Sequence, residues 1–223
     1  MLFSLVLFTA PTALPGEGCL LAELLALPGP PHRLHLRKPG WSAAQYEALL
    51  QALPAPAHAR LVLHAYPHLV RRYHLAGLHL TGAQRARQRR WPLLPGQSLS
   101  TGFHSLAELN RCRRRYDYVF LSPIFDSLSK AGYPGAFELA ALRAQLASQT
   151  ARPGYHPPVL ALGGVAADNI SLLPPAGFAG AAVLGTVWQS ADPVAAFRQL
   201  QAAAGQLAVP HARAASQSFH TGS

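Results

Sequence analysis

The stretch YDYVFLSPIFDSLSKAGYPG, residues 116–135, governs how the rest of the chain is read. An apolar run from Tyr118 to Leu121 stops at Ser122-Pro123 and gives way to a loop carrying Asp126, Ser127, Ser129, Lys130 and Gly132. Four apolar residues in succession fit a strand buried on both faces. A strand that empties into hydroxyls and a lysine is how a parallel α/β enzyme presents a site for an anion. The lysine is itself unusual, since only Lys38 and Lys130 break the arginine monopoly among 19 basic residues. Both follow predicted strands, which invites a functional reading, while chance placement in an arginine-rich composition is the plain alternative.

Strand-like and helix-like segments alternate on both sides of this stretch. Strands are predicted at 3–8, 33–37, 60–64, 77–80, 97–101, 118–121, 159–162 and 180–184. Helices are predicted at 20–27, 43–52, 68–74, 106–114, 137–148, 167–173 and 194–204. Alternation of this kind argues for βαβ units and a parallel sheet. Eight strands in one chain of 223 residues point to a closed (β/α)8 TIM barrel rather than an open doubly wound sheet. The fourth unit is the irregular one, because TGAQRARQRRWPLLP (81–95) reads either as a short helix or as an arginine-rich loop. One domain is expected over 1–204, followed by a disordered tail at 205–223, where periodicity is lost.

A hydrophobic fraction of 50% supplies a sizeable core, and a formal charge of +10 favours acidic partners such as phosphorylated metabolites. Cys19 and Cys112 make neither a disulfide framework nor a metal-ligand spacing, which fits free thiols in a reducing cytoplasm. The apolar start MLFSLVLFTA lacks the charged leader of a signal peptide and is too short to span a bilayer, so it reads as a buried first strand. Two arginine clusters sit beside aromatics: Arg85, Arg87, Arg89 and Arg90 with Trp91, and Arg111 and Arg113 to Arg115 with Tyr116. Both read as solvated faces, so neither nucleic acid nor a membrane is expected as a partner.

In a barrel the chemistry lies at the C-terminal strand ends. These ends carry His35, Arg37 and Lys38; His64; His79; His104; the serine and lysine loop; Gly163-Gly164; and Gly185-Thr186. Glycines after strands 7 and 8 let backbone N–H groups approach a phosphate, although tight turns alone also require glycine. Arg37, Lys38 and Lys130 are candidate donors to a second anion such as a pyrophosphate, with Ser127 and Ser129 beside them. The histidines are candidates for proton transfer or for structural hydrogen bonds.

In combination and order, several motifs resemble the thiamine phosphate synthase/TenI family. They are HLRKPG (35–40), GLHL (77–80), FHS (103–105), YDYVFLSPIFDSLSKAGY (116–133), LALGGVAADN (160–169) and AAVLGTVWQSADP (181–193). The resemblance implies a barrel of thiamine biosynthesis, joining hydroxymethylpyrimidine pyrophosphate to thiazole phosphate with release of pyrophosphate. Its ligands would be these phosphorylated small molecules, and a homo-oligomer stays open. By position, Arg37 matches the family's strand-2 arginine for pyrophosphate. Ser127, Ser129 and Lys130 match its Thr-x-Thr-Lys loop, and Gly163, Gly164, Gly185 and Thr186 fall where thiazole phosphate is held. Catalytic roles are expected for Arg37, Lys130, His35 and His64, and substrate contacts for Lys38, His104 and the loop residues. The family's magnesium carboxylates after strands 3 and 4 are replaced by His64-Ala65 and Thr81 to Gln84. No acidic residue occurs between Glu47 and Glu108, so Mg2+, which the family uses, is possible as a cofactor but its usual carboxylate ligands are absent and no residue is assigned as a metal ligand. A thiazole tautomerase of TenI type is the alternative, although its strand-6 histidine corresponds to Pro123 here. A phosphate-ligand binder without catalysis is the other.

Overall fold

The computed structural model describes residues 2–29, 32–87, 90–126, 137–151 and 153–207. Eight strands run in chain order: β1 (Ser4–Phe8), β2 (His32–Leu36), β3 (Leu61–Leu63), β4 (Gly77–Leu80), β5 (Ser98–Phe103), β6 (Tyr118–Leu121), β7 (Val159–Leu162) and β8 (Gly180–Val183). Each pairs in parallel with its sequence neighbour, and β8 returns to β1, so the sheet closes as a barrel. The seam is tight. A Cβ on Gly180 would lie 2.3 Å from the Ser4 carbonyl oxygen, which leaves room there for glycine alone. The apolar start of the chain is thus the first barrel strand, with Leu5 to Phe8 all buried.

The α-helices are α1 (Glu17–Ala26), α2 (Ala43–Ala52), α3 (Pro67–Arg72), α4 (Gly82–Arg87), α5 (Leu106–Arg111), α6 (Leu139–Thr150), α7 (Gly185–Trp188) and α8 (Pro193–Gly205). Local chemistry sets several of their starts. Ser42 and Gln45 form a reciprocal capping box before α2, the Ser105 hydroxyl accepts from the Glu108 N–H, and Asp192 accepts from the Ala195 N–H. Among the described residues of 81–95, Gly82–Arg87 form the short helix α4, and two features depart from the sequence pattern. The segment 167–173 holds a single 3-10 turn, Ile170–Leu172, because Asn169 folds back to bond the Gly164 carbonyl and the Ala166 N–H. The short helix α7 starts directly at Gly185, a position the pattern left as a turn. Residues 208–223, most of the expected disordered tail, lie outside the described residues.

Strand alternation divides the buried side chains into two sets. Leu5, Leu7, Leu34, Leu36, Leu61 and Leu63 point outward under the helices and join the larger core. Val6, Phe8, Tyr118, Phe120, Leu160 and Ala182 fill the barrel interior. Cys19 and Cys112 are free thiols. Among the described residues, no helix is long and apolar enough to cross a membrane.

One polar contact is enclosed in the outer layer. The Lys38 ammonium is fully buried, ion-paired with the Glu17 carboxylate, and donates to the Thr12 carbonyl at 2.7 Å. It also lies 5.4 Å from the centre of the Trp41 ring. Two charges out of water hold together only as a pair, so losing one strands the other. Lys38→Met is therefore expected to cost about 3–5 kcal/mol of unfolding free energy, and Lys38→Met/Glu17→Leu to recover most of that. Urea unfolding of the two variants checks this; a single variant costing under about 1 kcal/mol would contradict it.

Candidate functional site

Three imidazoles meet at the C-terminal end of the barrel because inward positions on adjacent strands are brought level. Phe8 is paired with His35 across β1 and β2, and His79 is paired with Ser100, which is paired with Tyr118. His64 follows β3 and continues the Leu63–Leu78 register, which places it beside His79. The two rings stack with centroids 4.3 Å apart and planes inclined by 29°. His35 Nδ1 lies 3.0 Å from His64 Nε2, His35 Nε2 lies 2.7 Å from the Tyr118 hydroxyl, and His79 Nδ1 lies 2.9 Å from the Ser100 hydroxyl. Phe8 and Phe120 wall the group, each about 5 Å from the His35 ring.

This enclosure keeps the imidazoles neutral. Burial pushes the pKa of His35 well below its usual value, with the neighbouring His79 and the Arg33 guanidinium further opposing protonation. Burial does the same to His64, reinforced by His79, His35 and Arg37. His79 is lowered to about 3, first by burial and then by Arg37 and Arg85. Burial raises the Tyr118 pKa, so its hydroxyl keeps its proton.

Around this group the expected site residues separate into distinct roles. Arg37 is exposed at the mouth, and its backbone is pinned by the buried Thr9, whose hydroxyl donates to the Arg37 carbonyl and accepts from the Arg37 N–H. Lys38 is a correction to the sequence reading. Its ammonium is committed to Glu17 on the helix side, so it offers no free charge to a second anion. His104 is exposed, with Nδ1 3.2 Å from the Ser122 hydroxyl. Ser127, Ser129 and Lys130 lie outside the described residues.

The turns after β7 and β8 lie side by side. The Thr186 hydroxyl donates to the Val165 carbonyl at 2.6 Å, and the Trp188 indole donates to the Phe8 carbonyl at 2.6 Å. Gly163 and Gly164 adopt φ of 100° and 65°, a region that side chains disfavour. A Cβ on Gly164 would lie 2.2 Å from the Asp126 carbonyl oxygen. The strand-6 loop leans directly on this turn, with the Ile124 and Phe125 N–H groups donating to Leu162 and Gly163 carbonyls. Packing against the strand-6 loop by itself calls for glycine at this turn.

Magnesium does not fit the strand-3 and strand-4 ends. The Thr81 and Gln84 side chains are spent on a capping box before α4, where Thr81 N–H donates to Gln84 Oε1 and Gln84 N–H to Thr81 Oγ1. The Gln84 amide donates to the His64 carbonyl at 3.4 Å. What remains is imidazole, a poor ligand for a hard cation that prefers oxygen.

Thr9, His79, Ser100, Tyr118 and Trp188 belong to this constellation although the sequence reading assigned none of them a firm role. The alternation of His79 and Tyr118 with apolar neighbours in GLHL and YVFL was the available signal. Inward direction could be read from it, but common height could not.

Comparison with known proteins agrees with this architecture. The thiamine monophosphate synthase family model matches residues 8–187. Thiamine phosphate pyrophosphorylase from Bacteroides thetaiotaomicron superposes with a TM-score of 0.72 at 29% identity, covering 91% of this chain and 98% of that one. The Pyrococcus furiosus thiamine phosphate pyrophosphorylase gives 0.66 at 19% identity, covering 91% and 95%. No curated protein matches the chain.

Gly164→Ala is expected to lower the unfolding free energy by about 2–4 kcal/mol, from the left-handed backbone and from overpacking against the Asp126 carbonyl. Urea titration measures it. An unchanged midpoint would mean that the strand-6 loop yields without cost.

Proposed function

We propose, from the premise that the chain belongs to the thiamine monophosphate synthase family, that it binds thiazole phosphate and hydroxymethylpyrimidine pyrophosphate at the barrel mouth and joins them. The observation that carries this reading is the adjacency of the turns after β7 and β8 through the Thr186–Val165 hydrogen bond. Gly164, Gly185 and Thr186 supply backbone N–H groups there, and a phosphate is the ligand such a pair of turns suits. Work in the cytoplasm accords with the free thiols.

The pyrophosphate belongs on the opposite side of the mouth, beside Arg37. In the joining step the pyrimidine methylene C–O bond breaks, and its electron pair leaves with pyrophosphate. The thiazole nitrogen lone pair then forms the new C–N bond. Arg37 stabilises the charge that develops on the leaving oxygens, and Lys130, Ser127 and Ser129 take the same task on the family's pattern. The walls of Phe8 and Phe120 exclude water from the interior below the reacting carbon.

A coupled assay supplied with both substrates tests the reading, with calorimetry of thiazole phosphate alone as its binding arm. Arg37→Ala is expected to lower turnover by about 100-fold or more while leaving thiazole phosphate affinity nearly unchanged. Thr186→Val is expected to weaken thiazole phosphate instead, by about 10-fold. A wild-type protein that binds no thiazole phosphate and makes no product would overturn the assignment.

A further inference from the structure

We propose that His35, His64 and His79 form a binding site for one divalent transition metal ion of the zinc class, set inside the barrel mouth. One ligand nitrogen from each residue can be chosen so that all three lie within 4.8 Å of one another. The shortest separation, 3.0 Å between His35 Nδ1 and His64 Nε2, is close to the roughly 3.3 Å that separates two nitrogens on a tetrahedral zinc ion. The three nitrogens lie within 4.8 Å, so the third must move inward by side-chain rotation to reach the same ion. His35 and His79 stand on β2 and β4, and His64 directly follows the last residue of β3, so the backbone that carries the ligands is held on or beside the barrel ladder.

The surrounding groups are those a metal-binding histidine needs on its other nitrogen. When His35 binds through Nδ1, its proton sits on Nε2, and that N–H donates a hydrogen bond to the Tyr118 oxygen 2.7 Å away. When His79 binds through Nε2, its Nδ1–H donates to the Ser100 hydroxyl at 2.9 Å. Such partners fix ring orientation and tautomer and raise ligand basicity.

The donor set also selects the ion. Three neutral nitrogens suit Zn2+, Co2+ or Ni2+ and disfavour Mg2+, and three histidines leave the fourth tetrahedral position open. His64 and His79 each keep 8% of their surface, whereas His35 is fully covered, so the open position faces the mouth. Arg37 and Arg85 stand close enough to act on His79 electrostatically. Their charge opposes a bare dication and favours an anionic fourth ligand, such as hydroxide or a phosphoryl oxygen. No acidic residue between Glu47 and Glu108 competes for the role.

The site is tested with metal alone, so the result does not depend on the proposed synthase reaction. Protein stripped with a chelator and dialysed is titrated with Zn2+ by calorimetry and with Co2+ by visible absorption. One equivalent of Zn2+ binding at micromolar Kd or tighter is expected, with the intense visible bands of tetrahedral Co2+ and no competition from Mg2+. His64→Gln and His79→Gln, each checked for wild-type circular dichroism, are expected to weaken Zn2+ at least 100-fold. If a variant does not fold, wild type decides through its melting temperature, which is expected to rise with Zn2+ and not with Mg2+. Absence of stoichiometric Zn2+ binding by wild type would overturn the site. So would binding that survives both substitutions, which would place the ion on surface histidines. Either failure would leave thiazole phosphate binding untouched, and loss of thiazole phosphate binding would leave the metal titration untouched.

Discussion

Closing a parallel sheet on itself leaves every second side chain of each strand no direction but inward. In this chain that constraint decides nearly everything of functional interest. Val6, Phe8, Phe120, Leu160 and Ala182 fill one part of the lumen, as an ordinary barrel core would. His35, His64, His79, Ser100 and Tyr118 occupy another part and satisfy one another by hydrogen bonds. A polar group this deep survives only because nearly every member finds a partner, since an unpaired buried donor or acceptor costs about 1–3 kcal/mol. The lumen is therefore both a core and a chemical site.

The same alternation separates neighbours that look equivalent in the sequence. His35, Arg37 and Lys38 stand within four residues of one another, yet they meet three different environments. His35 points into the lumen, Arg37 reaches the mouth, and Lys38 turns outward under α1 to pair with Glu17. Arginine keeps its charge and its planar donors available for an anion, whereas the lysine is spent on tying α1 to the end of β2. The arginine clusters show a related economy of position. Arg85 lies 4.4 Å from the Phe103 ring centre and donates to the Gly102 carbonyl, Arg114 rests by Tyr116, and Arg115 by Tyr155. These three arginines thus lie over aromatic faces, and Arg85 also meets a backbone carbonyl.

Membership of the thiamine monophosphate synthase family and the departures from its pattern find a common physical account in the mouth. On the β7 and β8 side, two glycine-bearing turns adjoin through the Thr186–Val165 hydrogen bond. On the β2 to β4 side, oxygen ligands have given way to imidazole, and the hydroxyl and amide of Thr81 and Gln84 are consumed by a helix cap. Changing ligand softness on one side of a mouth while holding the other constant alters which cation can serve there without disturbing the fold.

Strand and helix existence was legible in the residues alone, because periods of 2 and 3.6 are local properties. β4, β6, β7 and α2 begin and end where the pattern placed them, and the barrel follows from eight strands with crossover helices. Helix α7 and the 3-10 turn at Ile170–Leu172 were not legible, since they arise from contacts made after folding: Thr186 with Val165, and Asn169 with Gly164. The same holds for the site. Sequence alone determined that Arg37, the glycine turns and several histidines stand at strand ends, and that no carboxylate lies between Glu47 and Glu108. Only the tertiary structure decided that Lys38 is buried against Glu17 and that His35, His64 and His79 share one pocket. Pairing and convergence depend on register and barrel closure, which relate residues 15 to 44 positions apart on different strands and leave no trace in any local window.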